Sequence, residues 1–188
     1  VLGDTVSYTS GVNFTRTQTL FSIGAEWNGA LQYTGSVDRL KASSGILTPE
    51  ELDSQKVLPV TLVSFEFNEG SGNTITDTIN SLTGSPGAPA NPPTFQADSP
   101  SAQPGDSSIH FEAGQYMIVN DPDTRVRFDT NDASFTLQAW VKCATPAGRQ
   151  VFFYSNGPGG AVSFSVNNNR TVFVTTLGIA DVPSQAAI

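Results

Sequence analysis

The chain has 188 residues and a formal net charge of −8, and 38% of its residues are hydrophobic, 12 Phe among them. That length buries a substantial core, while a charged fraction of only 14% beside 17 Gly and 12 Pro suits short strands and turns and excludes a mainly helical body. The nine basic residues are scattered from Arg16 to Arg170 and form no stripe to neutralise phosphates, which excludes nucleic acid as a partner, and no apolar run reaches the ~20 residues of a membrane span.

In chain order, residues 6–9 read as a first strand, followed by alternating runs at 19–24 and 33–40. Thr48 as N-cap, Pro49 at the first helical position and Glu51 three residues after the cap predict one short helix near 48–52. Alternation resumes at 62–67, 108–112 and 116–119. Between residues 82 and 105 lies a Pro/Gly/Ala/Ser-rich stretch that reads as a long surface loop. Further strands are expected at 134–142, 151–154, 161–166 and 171–174. An apolar residue at every second place gives one face to a core and the other to water. Many such strands separated by Gly, Asn, Pro and Asp predict an all-β fold, an antiparallel β-sandwich with one short helix.

The single Cys143 excludes an internal disulfide and a cysteine-based zinc site, and His110, the one histidine, leaves no Ser/His/Asp set. Gly157, Gly159 and Gly160 around Pro158 lack a following helix and Lys, so they read as a hairpin turn and not a phosphate cradle. Carbohydrate recognition calls for exposed aromatics beside amides and carboxylates. Trp27, set between Glu26 and Asn28 with Tyr33 close in sequence, is the candidate site for it. Trp140 shares its parity with Gln138 and Lys142 but not with Leu137, Ala139 and Val141, so it either faces outward or lies in a strand covered on both sides. Hard cations take clustered oxygens from loops, which makes Asp121 and Asp123 candidate calcium ligands; Asp also caps turns with no metal at all.

Three runs resemble one family. Phe-Thr-Leu-Gln-Ala-Trp-Val-Lys at 135–142 is similar to the Phe-Thr-Ile-Ser-Ala-Trp-Val-Lys strand of laminin-G-like modules, which are concanavalin A-like jelly rolls. Phe-Glu-Phe-Asn-Glu-Gly-Ser-Gly at 65–72, with Asp77 after it, resembles the family's opening motif. Tyr-Thr-Gly-Ser-Val-Asp-Arg-Leu at 33–40 and the expected helix at 48–52 resemble its closing motif. The closing motifs precede the opening ones. The order implies residues 1–55 as the C-terminal part of one module, a junction at 56–60, and residues 61–188 as the N-terminal part of the next. A circularly permuted sandwich is the alternative.

The resemblance implies a calcium at the rim of the sandwich, with Asp38 and Asp77 at the positions of motif acids and Asn68 where an acid is usual. Glucanases of this fold carry Glu-x-Asp-x-x-Glu on one strand face. That spacing is absent, and Glu66 with Glu69 comes nearest. The expectation is therefore a non-catalytic extracellular or cell-surface module of a repetitive protein that binds a glycan or a surface protein. Two alternatives accompany it: a filament subunit assembled by strand complementation between copies of itself, and an accessory binding domain of a secreted hydrolase.

Overall fold

The structure, a computed structural model, describes residues 20–26, 29–44, 61–123, 126, 135–144, 148–155, 162–176 and 180–187. The expected strand at 6–9, the helix at 48–52 and the junction at 56–60 lie outside the described residues. Among the described residues there is no helix. Thirteen strands are described: β1 (Leu20–Ile23), β2 (Gly35–Ser44), β3 (Thr61–Phe65), β4 (Ile75–Thr76), β5 (Thr83–Pro86), β6 (Thr94–Gln96), β7 (Ser108–Phe111), β8 (Met117–Asn120), β9 (Phe135–Cys143), β10 (Gln150–Ser155), β11 (Val162–Val166), β12 (Thr171–Thr176) and β13 (Ala180–Ala187).

They form two antiparallel sheets, and the fold is an all-β sandwich. The larger sheet has the order β13-β12-β11-β10-β1-β8-β5-β4. In the smaller one, β2 pairs with β9 along one edge. Its other edge is shared by β7, at Gly35 to Val37, and β3, at Leu40 to Ser43; β6 lies beyond β7. Strands from the first 44 residues thus occupy interior places: β1 lies between β8 and β10, and β2 between β9 and the β3/β7 pair.

The alternation of apolar residues explains why the sheets close on each other. Phe21 and Ile23 of β1, Met117 and Val119 of β8 and Phe153 of β10 meet Val37 and Leu40 of β2, Phe65 of β3 and Phe111 of β7 in one buried cluster. Phe21 sets its ring edge-on to Phe65 of the opposite sheet at 6.2 Å, and Phe135 does the same to Phe164 at 6.1 Å. Such edge-to-face pairs add to the burial term that drives the collapse. In β10, Val151 to Ser155 are all buried, so this strand is covered on both faces.

Two local features shape β2. Arg39 adopts φ +48° at a bulge between the pairs Asp38 with Trp140 and Lys41 with Gln138. The extra residues let Val37 and Leu40 both face the core while Asp38 and Lys41 face outward. Gly35, at φ +146°, lies against β9, where a Cβ would come within 2.3 Å of the Lys142 carbonyl oxygen. No other residue fits there.

The stretch between 82 and 105, expected as one loop, contains β5 and β6. In β5, Gly84 lies against Ile75 and Val119 with no room for a Cβ. Gly87, just beyond, sits under the ring of Tyr116 in the same way. The strand is built on close backbone approach, so its sequence shows no apolar alternation.

Candidate functional site

The outward face of the smaller sheet carries the chemistry. On β2 the outward residues are Ser36, Asp38 and Lys41; on β9 they are Gln138, Trp140 and Lys142, paired with Lys41, Asp38 and Ser36 in that order. The segment after β6 is held onto this side of the sheet. Ser108 Oγ donates to the Asp98 carbonyl at 2.7 Å, and Lys142 Nζ lies 2.6 Å from Asp98 Oδ2. Arg39 Nη2 donates to Asp106 Oδ2 at 2.7 Å, and the Ser101 hydroxyl donates to the same oxygen. Ser107 contributes its backbone N–H to Asn68 Oδ1 at 2.9 Å and its hydroxyl to the Phe67 carbonyl at 2.5 Å.

Beneath these contacts Asp38 is 2% exposed, and neither of its carboxylate oxygens accepts a hydrogen bond of ordinary geometry. Asp106 Oδ1 and Ser99 Oγ are buried too, and Ser99 and Asn68 stand close enough to Asp106 to help hold its carboxyl low. Burial pushes the Asp38 carboxyl up to about 6; the Arg39 guanidinium and, more weakly, the Arg39 backbone N–H pull it down, and the charges of Asp106 and Glu66 push it up again. Asp106 is held below the usual carboxylate range, chiefly by the Ser101 hydroxyl. Glu66 sits 3.7 Å from Arg39 Nε and 3.6 Å from Lys41 Nζ, and accepts the Ser64 hydroxyl at 2.7 Å. A buried acid with open oxygens is the exception in folded proteins, and it sets Asp38 apart on this sheet.

Of the four expected calcium residues, the structure leaves Asp38 alone with open oxygens. Asp77 is 1% exposed and accepts three backbone N–H groups, from Ser64 at 2.6 Å, Ile79 at 3.2 Å and Asn80 at 2.7 Å. It ties β3 to the turn at residues 77–80. Asp121 is buried and accepts the Val126 N–H at 3.0 Å, while Asp123 lies exposed in a turn. Among the described residues no group of three or more His, Cys, Asp or Glu side chains is placed to hold a metal ion. The surroundings of Asp38 suit a hard cation in kind, since Asp106 lies near enough for its charge to act on Asp38 and both offer carboxylate oxygens. Calcium takes roughly six to eight oxygens, so backbone carbonyls or water would complete its shell.

Asp77→Asn is expected to lower stability by roughly 1–2 kcal/mol, because the amide presents a donor where the backbone already supplies three. Chemical denaturation of the two proteins measures the difference, and an unchanged midpoint would show that the turn does not depend on the carboxylate.

Of the expected glycan residues, Tyr33 and Glu26 are described. Tyr33 is 0% exposed, ringed by Phe111 and Phe152, with its hydroxyl donating to the Ser36 carbonyl at 3.2 Å. It is a core residue and not a surface aromatic; its burial raises the phenol far above the usual tyrosine range. Glu26 is half-buried in the turn after β1, and its charge adds to the burial that pushes the Tyr154 phenol up to about 12. Trp27 and Asn28 lie outside the described residues. Trp140 is 44% exposed on the outward face. Its parity with Gln138 and Lys142 was compatible with that position and with a strand covered on both faces. Nothing in the local sequence pointed to Asp106, whose charge reaches Asp38 from a segment more than about 60 residues further along the chain.

Comparison of the chain with known protein families, with curated proteins and with solved structures returned no match.

Proposed function

We propose that this chain is a non-catalytic extracellular module of the laminin-G-like type, which binds a glycan or a surface protein and carries calcium at Asp38. The observation that supports the family reading is the pairing of β2 with β9. The run that resembles the family's closing motif and the run that resembles its Ala-Trp-Val strand lie side by side, with Asp38 opposite Trp140. The reading as a binding protein draws on the nearest pair of acids. Glu66 is engaged by Arg39, Lys41 and Ser64, and Glu69 accepts the Thr76 N–H at 2.8 Å, so both acids serve local structure. Thermal melting in calcium and in chelator tests the ion, because a ligand held only by the folded state raises its stability. Melting that is identical in the two buffers would remove calcium from the proposal. Screening against an array of defined oligosaccharides tests recognition.

A second reading, strand complementation between copies, is favoured by one observation. β9 has nine residues and, among the described residues, pairs on one edge only. Phe135, Leu137, Ala139, Val141 and Cys143 on its inward side are only partly buried. A long edge strand with a half-covered apolar side invites another strand. Sedimentation across a range of concentrations separates the readings: a monomer throughout defeats complementation, and growth into larger species supports it.

A further inference from the structure

We infer that the outward face of the smaller sheet around Trp140 is a stacking platform for a neutral oligosaccharide; this rests on the glycan-binding reading and gives it a location. The large hydrophobic residues described as exposed are Leu31, Ile79 and Trp140. Leu31 and Ile79 lie outside the strands, whereas Trp140 stands on a sheet face, 44% exposed. An indole in that position gives up burial that its neighbours on the inward side of β9 partly obtain.

The surroundings of Trp140 are polar on every side that the register defines. Gln138 and Lys142 lie on the same face two residues away in each direction, about 7 Å along the strand. Across on β2 stand Asp38, opposite Trp140, Lys41, opposite Gln138, and Ser36, opposite Lys142. Ser36 Oγ in turn lies 3.3 Å from His110 Nδ1. Asp38 and Ser36 are buried beneath this face, so the groups open beside the indole are the Gln138 amide and the Lys41 and Lys142 ammonium groups. A flat apolar plate rimmed by an amide and ammonium groups matches the two sides of a pyranose. Its C–H face stacks on the ring, and its hydroxyls bond to the rim.

Two further observations narrow the ligand class. The cations of this face already hold carboxylates: Lys142 with Asp98, Lys41 with Glu66, and Arg39 with Asp106. With a chain charge of −8, an anionic sugar would have to displace these pairs. A neutral chain needs no such exchange. A protein partner fits less well, because a stable interface needs an apolar core of several residues and about 800 Å² from each side. Here one aromatic stands alone among polar groups.

The test uses the full chain on an array of neutral gluco-, xylo-, manno- and galacto-oligosaccharides, followed by titration of the strongest hit. Trp140→Ala is expected to weaken binding at least about tenfold, as aromatic anchors do, and Trp140→Tyr to keep part of it. Melting of both variants should stay within a few degrees of the parent, as expected for a substitution at an exposed position. In a Trp27→Ala background the titration should still shift the indole fluorescence, since Trp140 is then the one tryptophan left. Binding that survives Trp140→Ala, or a fluorescence shift abolished by Trp27→Ala, overturns the platform and leaves glycan recognition standing elsewhere. Absence of any hit with the parent chain overturns both. Should Trp140→Ala fail to fold, Trp140→Tyr and Gln138→Ala carry the same test, and full affinity in both counts against the site.

Discussion

Phe21→Ala is expected to destabilise the chain by about 3–5 kcal/mol, the range for deleting a buried phenyl ring, and to lower its melting temperature by roughly 10 °C or more. Phe21 is fully buried between Phe153 of its own sheet, at 5.7 Å, and Phe65 of the opposite sheet, at 6.2 Å. Removing it leaves a cavity bounded by two strands, β1 and β10, that cannot move together without breaking their ladder. The substitution also reports on organisation. β1 belongs to the segment that carries the closing motif, and its partners β3, β8 and β10 come from after residue 60. A loss of this size means that both segments share one core. A melting temperature within about 2 °C of the parent would mean that β1 is not integral to the sandwich. The double substitution with Phe65→Ala should lose less than the sum of the two single ones, because each ring is part of the other's environment.

The strands that the sequence announces are those that bury one face. Phe21 and Ile23, Val63 and Phe65, Ile109 and Phe111, and Met117 and Val119 all fall inward at the expected parity. What stays hidden in the sequence has other physics. β5 is held by glycine close to Ile75 and Val119, and a strand that packs through missing side chains shows no period. β13 contains Pro183, which cannot donate to a ladder; it is tolerated because β13 lies at the edge of its sheet.

The site divides in the same way. Asp38 and Asp77 look equivalent as motif acids, yet their surroundings are opposite. The local run Asp77 to Asn80 folds into a turn whose own N–H groups fill the Asp77 carboxylate, an outcome that an Asp at a turn start already suggests. Asp38 sits in mid-strand with no turn to fill its carboxylate, and the charges that face it include Asp106 from the segment after β6. That placement is tertiary, and no spacing in the sequence encodes it. For Trp140, parity left open an outward direction or a strand covered on both faces, and the structure shows the first. Its exposure follows from the position of β9, which borders β2 on one side and no described strand on the other.

The acid at position 38 should work against folding at neutral pH when no cation is present. Its folded pKa of about 6 lies above the ordinary 3.8, so between these values the folded chain holds more proton than the unfolded chain. Stability therefore falls as pH rises from about 4 to about 6 and levels off above that. The gap between the two values corresponds to about 3 kcal/mol at most. Asp38→Asn cannot ionise. In chelator it should match the parent near pH 4 and exceed it by several degrees of melting temperature at pH 7. In calcium the order should narrow or reverse, because a bound cation stabilises the parent's charged, open oxygens and the amide of the variant would offer a weaker ligand. A variant that melts below the parent in chelator at pH 7 would show that the carboxylate is already satisfied. It would remove the reason for placing a cation there. A variant that melts above the parent by the same margin in calcium and in chelator would keep the buried acid and dismiss the ion.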